Sequence, residues 1–275
     1  MGTYIDDDDL EFLLKRHNEQ YFESRFEFLN EHKGIRNSVL HVLIGSTGSG
    51  KSTLSRNIML DCAYNKKVVV WASEESIRDY NLALNKVCRD KRLLDNITII
   101  SELDAPERVN NDIQSFMFYF REEIMKHSPD IVFIDNVTTS FMYSDAIGPR
   151  GQSSAINNLR SFAAEEFLPI FCIAHTKKTI ADNSLLTIND IRGSTALSNT
   201  AAYAYVMQVF KMNKLRFSLI SIQKSRYHQP ENHYFKLFYD KDDGSYTKSV
   251  AVGMDIINQM YQLRDRLTDK PKSTN

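Results

Sequence analysis

Residues 39–53 read VLHVLIGSTGSGKST, with Gly45, Gly50, Lys51 and Ser52 at the G-x-x-x-x-G-K-S/T spacing. The apolar run 39–44 ahead of the glycines reads as a buried strand, and the run 53–64 behind them suits a helix. Gly45, Gly48 and Gly50 carry no Cβ, so the backbone can wrap and turn its N–H groups inward. A helix starting near Lys51 adds unpaired N–H groups and a positive dipole end. The segment Gly45, Ser46, Thr47, Gly48, Ser49, Gly50, Lys51, Ser52 and Thr53 therefore reads as a cradle for the phosphates of a nucleoside triphosphate. Lys51 is placed for the β- and γ-phosphates and Ser52 for Mg²⁺. A glycine- and serine-rich turn with no ligand would not need strand, spacing, lysine and serine together.

Outward from that stretch the pattern alternates. Short apolar runs at 68–72, 97–100, 131–134 and 170–174 are separated by helical patterns at 76–89, 109–126 and 153–167. Such alternation predicts an α/β fold, a mostly parallel central sheet covered by helices on both faces. The last third differs. Runs 202–212 and 215–223 meet at Asn213-Lys214, and runs 234–239 and 246–250 flank Asp242-Asp243-Gly244, which predicts C-terminal antiparallel hairpins. A terminal helix is expected over 254–267. Before the core, 6–32 carries apolar residues mostly three, four or seven apart and reads as a helix. We divide the chain into an N-terminal helical arm, 1–36, and one ATPase domain, 37–275.

Composition narrows the partners. The net charge of −1 provides no global basic field, so nucleic acid would have to meet a local basic stripe or channel. The three cysteines, Cys62, Cys88 and Cys172, have no metal-site or C-x-x-C spacing and read as buried thiols of a reducing compartment. The acidic N-terminus is unlike a signal peptide, and no apolar run approaches the length of a membrane span. The expectation is a cytoplasmic protein without membrane contact.

Several strand ends carry candidate chemistry. Asp135 closes the run 131–134, where a carboxylate holds the water shell of Mg²⁺. Glu74 and Glu75 follow the run 68–72, where a water attacking the γ-phosphate needs a base; Glu74, nearer the strand end, is the better candidate. The bland reading makes this pair an acidic helix start with Ser73 as N-cap. His175 follows 170–174, placed to sense the γ-phosphate. Lys224 and Arg226 lie two apart at a strand end, hence on one face. They read either as a solvated edge or as a finger aimed at a neighbour's γ-phosphate.

In order along residues 39–240, GSTGSGKS, WASEES, IVFIDN, IAHTKK, DIRGSTALSNTAAYAYVM and IQKSR resemble the RecA-like P-loop ATPases. Within these they resemble the DnaB- and RepA-type hexameric replicative helicases, while the double glutamate is most similar to KaiC and its relatives. The resemblance implies a hexameric ring, ATP between subunits, and single-stranded DNA held by loops in the bore. By position those loops are 138–152, with Arg150, and 177–195, with Lys177, Lys178 and Arg192. Loader or replication proteins are implied as further partners. Two segments depart from the family: EHKGIRNSV precedes the phosphate loop, and Tyr227-His228-Gln229-Pro230 follows the K-x-R step. The expected function is an ATP-driven DNA helicase or translocase. The alternative is a KaiC-like or loader-type oligomeric switch that does not translocate. A small-molecule kinase ranks third, because no arginine-rich lid is visible.

Overall fold

A computed structural model describes residues 21–106, 112–177, 186–193, 195–212, 215–227, 233–255 and 257–258. Expectations for residues 1–20, Lys178, Ser194, 228–232 and nearly all of the terminal helix lie outside the described residues.

The sheet is built from β3 (Leu40–Gly45), β4 (Val68–Ala72), β5 (Ile97–Ser101), β6 (Ile131–Asp135), β7 (Ile170–His175), β8 (Tyr203–Met212), β9 (Leu215–Ser225), β10 (His233–Asp240) and β11 (Ser245–Val252). Its order is β11-β10-β9-β8-β3-β7-β6-β4-β5. From β8 to β5 every pairing is parallel, and from β8 to β11 every pairing is antiparallel. The mostly parallel sheet and the two C-terminal hairpins are as the alternation predicts. Among the described residues, four helices of two or more turns flank it: α2 (Lys51–Cys62), α3 (Ile77–Val87), α4 (Ile113–Met125) and α5 (Gly148–Glu165); α6 (Ala196–Thr200) is a single turn.

Side-chain alternation divides the core. Leu40, Val42 and Ile44, Val69 and Trp71, Val132 and Ile134 face α4 and α5, where Phe116, Phe120, Leu159 and Phe162 meet them. Leu43, Val68, Val70, Phe133 and Phe171 face the other way, onto Leu54 and Ile58 of α2. Burial on both faces is why these strands read as unbroken apolar runs. Cys62, Cys88 and Cys172 are all buried. Among the described residues no helix is long and apolar enough to cross a membrane.

Residues 21–36 correct the stretch 21–32 of the helix expected over 6–32. They form β1 (Tyr21–Phe22), the single turn α1 (Glu27–Asn30) and β2 (Ile35–Arg36), with β1 and β2 paired antiparallel. Phe26 and Phe28 are both fully buried, although residues two apart do not share a helix face. Gly34 has φ +99°, and a Cβ there would lie 2.4 Å from the Phe22 carbonyl oxygen. The segment packs into the α2 side of the core and borders β11: the Phe28 N–H donates to Ser249 Oγ, and the Ala251 N–H donates to Glu27. An otherwise open sheet edge is thereby covered.

Two smaller corrections bear on the site. Ser76, not Ser73, caps α3, accepting from the Asp79 N–H. Helix α5 begins at Gly148, five residues ahead of the expected start, because Pro149 suits the first helical turn. Arg150 thus sits exposed on a helix and not on an open loop.

Candidate active site

The carboxyl ends of β3, β7, β6 and β4 lie side by side, and this edge gathers the candidate residues. Gly45 ends β3; Ser46, Thr47 and Gly48 form an exposed crown; Gly50 precedes α2. Two glycines are required by space, and Gly50 by conformation as well. A Cβ on Gly45 would sit 2.7 Å from the Met207 carbonyl oxygen. Gly50 has φ +97°, and a Cβ there would sit 2.6 Å from the Tyr246 hydroxyl. No side chain caps the start of α2, so its first amides remain available to an anion. Ser49 Oγ is buried and makes no hydrogen bond among the described residues, an orphan that a phosphate oxygen would satisfy.

Lys51 is buried, and its ammonium donates to the Ser46 carbonyl at 2.8 Å. Burial lowers its pKa to about 8, with Asp135 and Glu74 drawing it back upward. Ser52 Oγ donates to Asp135 Oδ1 at 3.2 Å, so the two residues expected at the metal are adjacent. Burial pushes the Asp135 carboxyl up. Such a paired hydroxyl and carboxylate is a hard-oxygen donor set of the kind Mg²⁺ takes when substrate phosphates and water complete the shell.

The two glutamates have different surroundings. Glu75 is engaged by Arg56 Nη2 at 2.6 and 2.8 Å. Arg56, from α2, also lies over the Tyr80 ring at 4.5 Å, and the Tyr80 hydroxyl donates to Asp135 Oδ2 at 3.3 Å. Glu74 is more exposed, and its Oε1 lies 3.4 Å from His175 Nε2. Hydrogen bonding to His175 holds the Glu74 carboxyl below its ordinary value, with a smaller contribution from Thr139. A carboxylate kept ionised beside the phosphate loop can accept a proton from water. His175 is also fixed through its backbone: its N–H donates to Thr138 Oγ1 at 3.0 Å, and its carbonyl accepts from the Arg192 N–H at 2.9 Å.

Lys224 and Arg226 are not brought to this edge. Ser225 pairs with Tyr203, which pairs with His41 near the start of β3, whereas Gly45 pairs with Met207. That offset of four residues is about 13 Å along the strands at about 3.3 Å per residue, with β8 intervening. The Lys224 ammonium donates to the Ser198 and Asn199 carbonyls, both at 2.9 Å, and Arg226 Nη2 to Asn199 at 3.4 Å. Both cations cap the end of α6.

Sequence reasoning missed four parts of the site: Arg56, Tyr80, Glu102 and a cavity. The first had a faint signal, since Arg56 lies four residues after Ser52 on one helix face. The cavity had none. It encloses about 510 Å³ beside Gly50 and Thr53, walled by Phe217, Phe238, Tyr239 and Tyr246. Lys236 and Lys241 stand at its border. Tyr246 is fixed by a bond from its N–H to Asn57 Oδ1 and by contact of its hydroxyl with Ser218 Oγ.

A mostly parallel sheet with antiparallel strands at one end, and a phosphate loop between β3 and α2, define a P-loop ATPase of the RecA-like type. The profile of a family described as AAA domain (AAA_25) matches residues 30–181, just over half of the sequence, and the chain belongs to that family. No curated protein matches the chain. Among solved structures, the chain is similar to a KaiC-like protein from the hyperthermophilic archaeon Pyrococcus horikoshii OT3. The TM-score is 0.63 and the identity 15%, over 85% of this chain and 99% of that one; at this identity the likeness concerns the fold.

Proposed function

We propose that the chain is an ATP-hydrolysing ring motor that acts on single-stranded DNA, a helicase or translocase of the replicative type. The observation that carries this reading is the position of His175. Its side chain meets Glu74, its N–H meets Thr138, and its carbonyl meets Arg192. Thr138 and Arg192, described residues of the segments 138–152 and 177–195, thus converge on the residue next to the candidate base. They are joined further by the Arg192–Asp145 ion pair at 3.9 Å and border a polar cavity of about 230 Å³. A strand held there would be felt at Glu74. Residues 37–275 act in this reading as one ATPase domain, with 1–36 as its N-terminal extension.

The chemistry follows from the residues. The first amides of α2 and Lys51 hold the β- and γ-phosphates; Ser52 and Asp135 would hold Mg²⁺, which when bound would supply neutralising charge at the phosphates. Glu74 takes a proton from the attacking water as its oxygen adds to phosphorus, and ADP departs. His175, held at its N–H by Thr138, orients Glu74, while Arg56 occupies Glu75. The 510 Å³ cavity takes the nucleoside, its aromatic walls offering stacking surface to the base. Lys224 and Arg226, too far from their own phosphate loop, serve the ATP of the next subunit.

Lys51 makes this testable by pH. A bound polyphosphate favours the ammonium, so binding raises the Lys51 pKa from about 8 and takes up a proton above that pH. ATP affinity should be flat below about pH 8 and fall above it, by up to about tenfold per pH unit. Calorimetric titrations from about pH 7 to about pH 9.5 measure this; an affinity constant across the range would place the phosphates elsewhere.

The DNA reading is tested by ATPase with and without single-stranded DNA. Turnover should rise several-fold with DNA, and log affinity should fall linearly with log salt, by roughly 0.7 per phosphate contacted. No binding at low salt, with ATPase indifferent to any strand, would favour the non-translocating switch.

A further inference from the structure

Trp71, the only tryptophan of the chain, lies three residues before Glu74 in β4. Phe116 and Phe120 meet its ring edge-on, at 5.9 and 4.9 Å between centroids, so the indole is fixed by the core. Its N–H donates to Glu102 Oε2 at 2.6 Å. The same oxygen accepts from Ser140 Oγ at 2.6 Å, and Glu102 Oε1 accepts from the Phe141 N–H at 2.7 Å. Glu102 follows directly on β5, and the last residue of β5, Ser101, donates through its hydroxyl to the Glu75 carbonyl at 3.1 Å. One carboxylate therefore ties β4, the end of β5 and the segment after β6 together.

The two outer segments carry Glu74 and Thr138, whose hydroxyl accepts from the N–H of His175, the partner of Glu74. Glu102 has no ion-pair partner among the described residues, and burial pushes its carboxyl up. A half-buried acid without a cation is costly, and an apolar side chain would fill this place more cheaply. What an acid provides is two acceptor oxygens and no obligatory donor, matched to three converging donors. An amide would turn an N–H toward at least one of them.

We propose that Glu102 is a positioning residue for hydrolysis, clamping the segment after β6 onto the rigid Trp71 so that Thr138 holds the His175 backbone and His175 holds Glu74 in line. The inference rests on the ATPase reading above. Glu102→Gln keeps the shape and breaks the clamp; Ser140→Ala removes one arm and leaves the indole bond. Ile124→Val, in α4 and away from the clamp, lowers stability without touching it.

In the full chain, kcat should fall about tenfold or more for Glu102→Gln and less for Ser140→Ala, with KM for ATP within about twofold. Ile124→Val should lower the melting temperature and leave kcat alone. Trp71 emission should shift for Glu102→Gln, whose indole loses a charged acceptor, and not for Ser140→Ala. Unchanged kcat in both folded clamp variants overturns the proposal, as does a loss of kcat that follows melting temperature in all three. If Glu102→Gln fails to fold, Ser140→Ala against Ile124→Val decides. Absence of turnover in the wild type would remove the ATPase reading itself, an outcome distinct from equal turnover in all.

Discussion

Glu74→Gln should bind ATP with near wild-type affinity and turn it over about 10³-fold more slowly, within the range expected for loss of a general base. The amide can still accept from His175 but cannot take the proton of water. The wild-type carboxyl is held below its ordinary value by His175, so it stays ionised at neutral pH, and turnover should fall only when acid protonates it. Glu75→Gln should behave differently. It removes the charge facing Arg56, leaving a buried guanidinium short of its partner, so the expected result is a lower melting temperature with a smaller kinetic defect. Single-turnover measurements on both variants separate the roles. A dead Glu75→Gln beside an active Glu74→Gln would reverse the assignment.

Arg226→Ala should lose on the order of 10³ or more in turnover while ATP affinity changes little, as expected for withdrawal of an arginine finger. The guanidinium is planar and always charged, which suits charge developing on the γ-phosphate. If Arg226 acts on ATP, its place at the far end of β9 means that this ATP belongs to another subunit. Mixing tests this. Arg226→Ala chains and Lys51→Ala chains should each be inactive, yet a mixed ring contains interfaces with an intact loop facing an intact arginine. Basal ATPase should partly return. Normal turnover in Arg226→Ala alone, or mixed rings with no recovery, would count against the finger and leave Arg226 as a cap on α6, where it meets Asn199.

Much of this was legible in the chain because it is local. The phosphate loop is a matter of spacing: Gly45 to Ser52 are covalently close, and their backbone needs are written in residue type. The core strands were legible because burial on both faces leaves continuous apolar runs, and Asp135 and His175 because they end such runs. The segment 21–32 misled because spacing of three and four also arises when aromatic residues fill a turn and a short strand against the sheet.

By itself, then, the sequence determined the α/β class, the loop and the strand ends that carry polar residues, since each depends on neighbours a few positions away. Only the tertiary structure decided which glutamate meets Arg56 and which meets His175, since the two are adjacent in the chain and differ only in direction. It also decided that Lys224 and Arg226 lie far from their own loop, because strand order and register follow from long-range pairing. The cavity beside Gly50 was decided in the same way. Its wall residue Tyr246 is bonded to Asn57 across 189 positions, a contact that no local pattern encodes because it exists only once the C-terminal hairpin has docked on α2.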